Sequence, residues 1–304
     1  MSETEEVETR SVSALKTLVD SFKILQTNLS LFISIFVLTT LPLSLLSFAL
    51  SLYSHPLQLK IYSLEALALL SPTRTEARHV WEESRADLLT LLRFKALFFL
   101  PSYVISLLAT ITSVNSTALA FSGKRPSCQT AIAAVQASWK RPLATSIYAF
   151  AILLAYEFVP LTCSAVVGGG ARARWLVAVI GAAVEVYLRA VLGLALVASV
   201  VEETFGWEAV KVGWRVVEQK RVFGWVLAGC LVLGSGGVGG GVRVVMDGQD
   251  WVMKIGLACL FGLLILWSYV VNTVLYCECS RSRTWQLDRV DNGLPFKFVS
   301  SQVL

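Results

Sequence analysis

Six stretches of the sequence are apolar over lengths that suffice to cross a lipid bilayer. A spanning helix needs about 20 mostly apolar residues, because a helix pairs its own backbone polar groups where hydrocarbon offers no partner. The sequence therefore predicts an all-α, polytopic integral membrane protein. Its six-span membrane domain covers residues 13–277, between a tail over 1–12 and a second tail over 278–304. The predicted spans are 31–53, 96–120, 143–167, 175–201, 222–242 and 255–276.

The composition agrees with this class. Hydrophobic residues make up 55% of the chain and charged residues only 15%, whereas a soluble domain carries about 25% charged residues. The net charge is +5. No cluster of Lys and Arg with interleaved aromatics stands apart from the segments next to the membrane, so nucleic acid is not expected as a partner. The basic balance favours contact with the lipid bilayer, whose anionic headgroups attract basic loops.

Charge also predicts the orientation. The acidic start, with Glu3, Glu5, Glu6 and Glu8, differs from a signal peptide, so the first span is expected to act as an uncleaved anchor. The side with both termini carries 15 Lys and Arg, and the opposite side carries 10, six of them in the loop between Ser54 and Lys95. Because basic loops stay cytoplasmic, both termini are predicted to be cytoplasmic. The expected location is the endomembrane system, such as the endoplasmic reticulum, or the plasma membrane.

A short motif of a small, an aromatic and a basic residue recurs three times, each time before an apolar run. Apolar residues precede each aromatic by four and by seven positions, which is helical spacing. We predict three interfacial amphipathic helices in a threefold parallel repeat, each followed by two spans, with the aromatics at headgroup level. Alternatively, interfacial helices before membrane spans simply resemble one another. The motifs are Ser21-Phe22-Lys23, Ser138-Trp139-Lys140 and Gly213-Trp214-Arg215.

Two stretches carry a resemblance to a known family. Residues 200–215, which read VVEETFGWEAVKVGWR, and residues 271–277, which read VNTVLYC, flank a glycine-rich span. Together they resemble a plant family of six-span transmembrane proteins of unknown function. More distantly, the pattern is similar to the membrane domain of bacterial glycerophosphodiester phosphodiesterases, which is not their catalytic part. The tract Gly234–Gly241 departs from the family pattern and weakens the fifth span as a helix. The resemblance implies topology rather than activity.

The residues offer no catalytic chemistry. Neither His55 nor His79 has another histidine or a cysteine at metal-ligand spacing, so no metal or cofactor is expected. No Walker A loop or nucleophile elbow occurs, and the chain is not expected to be an enzyme. Cys277 and Cys279 follow the last span directly and are interpreted either as reduced thiols or as sites of reversible palmitoylation.

Three ionisable residues lie within predicted spans, where charges are costly and hence candidates for function. Glu185 and Arg189 stand four residues apart in the order that favours an intrahelical ion pair, and Glu157 lies in the preceding span near Pro160. A polar seam of Glu157, Glu185 and Arg189 could hold the bundle together, or it could line a path for a solute, a lipid or a proton.

The sequence thus indicates a non-enzymatic protein that organises, senses or scaffolds membrane through its interfacial helices, with other membrane proteins as further candidate partners. Three such helices on one leaflet add area there and respond to lipid packing and charge. The alternative function is a small-solute or lipid transporter that uses the intramembrane seam.

Overall fold

The computed structural model describes residues 16–70, 74–167, 171–202, 204–219, 229 and 251–290, and within these residues it contains helices and no strand. A first helix, α1, covers residues 16–27 of this range. A π-helical turn at Phe36–Thr40 separates the second helix from the third. The other helices are α2 (Leu29–Ile35), α3 (Leu41–Leu70), α4 (Arg74–Phe121), α5 (Cys128–Ser138), α6 (Lys140–Val167), α7 (Ala171–Val201), α8 (Trp207–Gln219) and α9 (Trp251–Val290).

Five helical segments in the described residues are long and apolar enough to cross a membrane. They agree with the predicted class, a helical membrane protein, and they overlap five of the six predicted spans. The remaining predicted span, 222–242, with its glycine tract, lies outside the described residues. The five segments are Leu29–Ala68, Arg78–Phe121, Lys140–Pro160, Trp175–Val201 and Val252–Arg281.

Helices α3 and α4 form an antiparallel hairpin that is much longer than a bilayer is thick. With 48 residues and a rise of about 1.5 Å per residue, α4 is about 72 Å long, whereas the hydrocarbon core measures about 30 Å. The segment interpreted as a loop between Ser54 and Lys95 is therefore largely helical. Lys60 Nζ on α3 lies 3.1 Å from Glu83 and 2.9 Å from Asp87 of α4.

Three long helices, α4, α7 and α9, contact one another and form the centre of the bundle. Their shared core contains Val114 of α4, Leu194 and Val197 of α7, and Val271 and Leu275 of α9. Helix α3 packs on α4 and on α9, and α6 packs on α7. Buried hydroxyls at these contacts mostly bond to the preceding turn of their own helix, as Thr117 does to the carbonyl of Ser113 at 2.7 Å. Such bonding satisfies polar side chains inside an apolar bundle.

Each short helix packs on the end of one central helix. Helix α5 contacts α4, and α8 contacts α7, the long helix that precedes it in each case. Helix α1 has no described helix before it and lies instead against α9, where Thr17 Oγ1 donates a hydrogen bond of 2.7 Å to Glu278 Oε2. The described start of the chain and the part of α9 around Glu278 therefore meet on one side of the bundle.

Candidate membrane-contact site

The aromatic residue of each motif is exposed. Phe22 has 54% of its surface accessible, Trp139 43% and Trp214 48%. The basic residue after each of them, Lys23, Lys140 or Arg215, is exposed as well. In all three short helices the structure thus leaves about half of an aromatic side chain, and the basic side chain after it, accessible for contact with lipid.

The small residue of each motif faces the opposite way. Ser21 and Gly213 are buried and Ser138 is half-buried. A second small residue stands four positions earlier in each helix, so the two lie on one face. Small residues at this spacing let two helix backbones approach closely within a membrane. This four-residue spacing could have been read from the sequence. The pairs are Thr17 with Ser21, Ala134 with Ser138, and Ala209 with Gly213.

The approach is closest at Gly213. A Cβ atom built on this residue would lie 2.5 Å from the carbonyl oxygen of Val191 and 2.9 Å from the backbone nitrogen of Ala195. Both atoms belong to the backbone of α7, which cannot swing aside as the end of a side chain can. Glycine is therefore required here by space, and α8 crosses α7 six to ten residues before α7 ends at Val201.

Ring contacts hold the two tryptophans in place while part of each ring stays exposed. Trp214 meets Tyr187 of α7 edge to face, with 5.4 Å between the ring centroids. The ammonium group of Lys140 lies 5.9 Å from the centroid of Trp139, within the range of a cation–π interaction. The aromatic and the basic side chain of this motif therefore lie side by side on the same exposed part of the helix.

The turn before α8 is fixed by helix α6. The backbone N–H of Gly206 donates a buried hydrogen bond of 3.0 Å to Thr145 Oγ1. Gly206 has a φ of +62°, a left-handed conformation that glycine adopts without strain. A Cβ atom there would also lie 3.1 Å from the ring of Tyr148. Backbone conformation and space thus both favour glycine, and α8 starts from a defined position.

The predicted ion pair lies on α7. The Nε and Nη2 atoms of Arg189 donate hydrogen bonds of 2.9 Å and 2.5 Å to Glu185 Oε1. Both side chains are partly exposed, Glu185 by 37% and Arg189 by 54%. The pair neutralises its own charge on the surface of α7, and Arg189 lies only two residues before the contact of Val191 with α8.

Glu157 does not join this pair. It is exposed on α6, and within the described residues no hydrogen bond or ion pair holds it. The neighbouring Tyr156 faces α7 instead, where its hydroxyl donates a hydrogen bond of 2.6 Å to the carbonyl of Gly181. At this point of their contact, α6 and α7 are joined by a tyrosine hydroxyl on a backbone carbonyl, and Glu157 is not bonded to the Glu185–Arg189 pair.

The ion pair leads to a prediction about protein abundance. Arg189→Ala should lower the amount of full-length protein in membranes severalfold, because it leaves the Glu185 carboxylate within a predicted span without the guanidinium group that neutralises it. The double variant Glu185→Gln, Arg189→Leu should restore most of the loss, since neither charge remains. Quantitative immunoblots of membrane fractions would measure both. A double variant that accumulates no better than the single one would show that pairing does not stabilise the protein.

The two cysteines after the last predicted span lie within α9, which continues past it. Cys279 is buried in the core cluster and Cys277 is half-buried. Transfer of an acyl group needs an accessible thiolate, so burial makes Cys279 a poor acceptor in this conformation. The reading as reduced thiols suits the structure better at this position.

In the part of the chain that the structure describes, a helical bundle with five segments apolar enough to span a membrane, and with exposed aromatic and basic residues on its short helices, indicates an integral membrane protein. The chain belongs to the family described as a domain of unknown function, DUF8558, which matches residues 1–292. No curated protein and no solved structure matches it.

Proposed function

We propose that the protein organises or senses one face of a membrane, with the three short helices as its lipid-contacting surface. The observation that carries the proposal is the common arrangement of the three motifs, in which a small residue meets the bundle while the aromatic and basic residues stay exposed. Each exposed Lys or Arg near an anionic surface contributes about 1 kcal/mol of attraction. Three short helices packed on one bundle add these contributions together.

The threefold parallel repeat belongs to this proposal. Three pairings support it, namely α1 on α9, α5 on α4 and α8 on α7, because each short helix meets a long helix that belongs to the central trio. Under the repeat, the second spans of the three units form the centre, and each short helix sits at the junction of two units. A ligand or lipid that moves one short helix would therefore change the packing of two repeat units.

The position of the ion pair supports membrane contact over transport. If α8 lies at headgroup level, Arg189 lies about 3 Å of helix rise below the residue of α7 that meets Gly213. The long side chain of arginine can extend over that distance to water. Glu157 stands apart on α6. A transport path would need several ionisable groups facing one interior cavity, whereas Glu157 is exposed on α6 and the Glu185–Arg189 pair is partly exposed on α7.

Isolated short helices should bind anionic vesicles. We expect peptides covering residues 127–141 and 205–221 to be disordered in water, because helices of this length are marginal alone, and to become helical on vesicles of phosphatidylserine and phosphatidylcholine. Trp214→Ala should weaken vesicle binding about tenfold, because the buried aromatic surface is lost. Circular dichroism would follow both peptides, together with the fluorescence of Trp139 in the first peptide and of Trp207, which the Trp214→Ala change retains, in the second. Added salt should weaken binding further by screening Arg215.

The control is the neighbouring residue. Gly213→Ala in the same peptide should leave vesicle binding equal or slightly stronger, since alanine favours a helix by about 1 kcal/mol over glycine and this position faces the bundle, not lipid. Equal binding by the native and Trp214→Ala peptides would contradict the proposal, because it would mean that Trp214 contributes contacts to protein only.

A further inference from the structure

Helices α4 and α6 touch at one level and then follow different partners. Phe99 of α4 lies 5.3 Å from Phe150 of α6, measured between ring centroids. One turn nearer the short helices, the hydroxyl groups of Tyr103 and Ser146 share a hydrogen bond of 2.5 Å. Beyond Phe99 and Phe150, no hydrogen bond, ion pair or ring contact joins the two helices in the part of the chain that the structure describes. There α4 packs along α3, and α6 packs along α7.

The face of α4 that meets α6 is exposed over the next three turns. Steps of three or four residues stay on one face of a helix, so Lys95, Leu92 and Leu88 lie on the same face as Phe99. Leu92 and Leu88 have 62% and 52% of their surface accessible, and Lys95 is exposed as well. Among the described residues, nothing covers this face of α4 beyond the contact with Phe150.

Helix α6 continues its own row in the same way. Glu157 follows Phe150 by seven residues, about two turns, and therefore lies on the same face. The two contacts pair earlier residues of α4 with later residues of α6, so the helices are antiparallel, and Glu157 stands level with Leu92. Glu157 is exposed, and Leu154, one turn before it, has 51% of its surface accessible.

The space between these two rows, the α4–α6 cleft, carries opposite charges on its two walls. Lys95 lies on the α4 wall and Glu157 on the α6 wall, about one turn apart in height. Within the described residues, neither side chain has a hydrogen bond or an ion pair. The Glu185–Arg189 pair of α7 neutralises itself and leaves the charge of Glu157 unbalanced. Both charges of the cleft are therefore open to a ligand.

The depth of the cleft matches the shape of a lipid. Glu157 lies about 25 Å along α6 from Lys140, and the hydrocarbon core is about 30 Å thick. With the short helices at one headgroup level, the charged residues of the cleft lie near the opposite headgroup level. Phe99 and Phe150, which are 46% and 48% exposed, then lie deeper, among the acyl chains. The cleft is thus polar where headgroups lie and apolar below.

We propose that the α4–α6 cleft binds one phospholipid whose headgroup carries both a phosphate and a primary ammonium group. Lys95 binds the phosphate, and the Glu157 carboxylate accepts hydrogen bonds from the ammonium group. The acyl chains lie along Leu154 and the exposed edges of Phe99 and Phe150. This site lies on the membrane face opposite the short helices, so it goes beyond their proposed contact with lipid.

Charge complementarity selects this class of occupant. A headgroup with only negative charge would be repelled by Glu157, and one with only positive charge would be repelled by Lys95. Hydrocarbon alone would leave both charges without a partner at the edge of the bilayer, which is costly. A zwitterionic headgroup satisfies both walls at once.

The first experiment measures lipid binding to the full-length protein by native mass spectrometry from a mild detergent. The protein is titrated with dioleoyl phosphatidylethanolamine or dioleoyl phosphatidylcholine. We expect about tenfold tighter binding of the ethanolamine lipid, because the quaternary ammonium group of choline has no N–H to donate to Glu157. Glu157→Gln should remove this preference. The control Glu82→Gln, an exposed acid that pairs with Arg78 outside the cleft, should retain it.

A matched pair of basic residues tests the other wall. Lys95→Gln should weaken the binding of both lipids severalfold, because both carry the phosphate. Arg93→Gln removes the same charge two residues earlier, about 200° around α4, and should leave binding unchanged. Equal binding of the two lipids by the native chain would overturn the proposal, and so would equal effects of Lys95→Gln and Arg93→Gln.

Photo-crosslinking in membranes identifies the occupant while both charged residues stay in place. A diazirine side chain at position 92 faces the cleft, whereas one at position 97, where Leu97 is 69% exposed on the other side of α4, faces bulk lipid. In vesicles with equal amounts of the two lipids, adducts at position 92 should be enriched at least about fivefold in the ethanolamine lipid. Adducts at position 97 should reflect the bulk ratio. The bulk ratio at position 92 would contradict the proposal, as would a cross-link from there to residues 220–250 or to another protein.

Discussion

Replacement of Gly213 by alanine is expected to displace helix α8 from α7 and to destabilise the whole protein. The new Cβ atom would lie 2.5 Å from the carbonyl oxygen of Val191, well inside van der Waals contact. Neither backbone can give way without moving a helix, so the cost should reach or exceed the about 1–3 kcal/mol typical of overpacked cores. Burial of Ala209, Val216 and Val217 beside this contact means that a shift of α8 also opens the core around them.

The measurement is thermal unfolding of the full-length protein in a mild detergent. Gly213→Ala should lower the midpoint by several degrees and reduce the purified yield. The control is Gly256→Ala in α9, where nothing lies within 4 Å of the added Cβ. That change should leave the midpoint equal or slightly higher, because alanine is the better helix former. If both variants unfold at the native temperature, α8 does not pack on α7 at this closeness.

The spans could be predicted because the lipid environment imposes a simple condition, a run of about 20 apolar residues, that a single sequence reveals. The same condition does not detect the helical hairpin of α3 and α4 outside the spans. Charged and apolar residues are mixed in residues 54–95. The charged residues Lys60, Glu83 and Asp87 form ion pairs between the two helices of the hairpin. A count of apolar residues ends each span there and treats the segment between the spans as a loop. The helical spacing of apolar residues such as Trp81, Leu88 and Leu92 is the pattern that indicates a helix in this segment.

At the candidate site, the exposure of the aromatic residues could be anticipated from helical spacing, whereas the partner of each helix could not. Periodicity gives the faces of a helix and says nothing about which element lies against them. The spacing places Phe22, Trp139 and Trp214 on an apolar stripe, and the structure divides that stripe: Val210 and Val217 are buried while Trp207 and Trp214 are exposed. The small residues determine which side of each short helix faces the bundle. Hydrophobic periodicity does not detect them, because glycine and serine contribute little to it.

Glu157 illustrates the same limit. Its distance along the chain from Glu185 and Arg189 says only that adjacent antiparallel spans could bring the three together. Which side of α6 faces α7 depends on packing, and the contact is made by Tyr156 and by Pro160 against Gly181. A one-residue difference on a helix is a rotation of about 100°, enough to turn Glu157 away from the pair.

The contact between the start of the chain and α9 predicts the topology of the protein in the membrane. We predict that both termini lie on one side of the membrane and that residues 243–250 lie on the other. Thr17 on α1 is hydrogen-bonded to Glu278 near the end of α9, so the described start and the last long helix meet on one side. From that side the chain crosses the membrane four times. Helices α2 and α3 together make the first crossing, and α4, α6 and α7 make the next three. A further crossing between Gln219 and Trp251 is then needed for α9 to end beside α1, which is the role predicted for the span at 222–242.

Cysteines at positions 2, 248 and 304, each in a full-length chain whose native cysteines are replaced by alanine, would test this arrangement with an impermeant thiol reagent. In intact right-side-out vesicles, Gly248→Cys should react, and Ser2→Cys and Leu304→Cys should react only after permeabilisation, because the termini are predicted to be cytoplasmic. The reverse pattern would keep six spans and invert the orientation. Reaction of Ser2→Cys without Leu304→Cys, or the opposite, would require an odd number of crossings and would contradict both the sixth span and the parallel repeat.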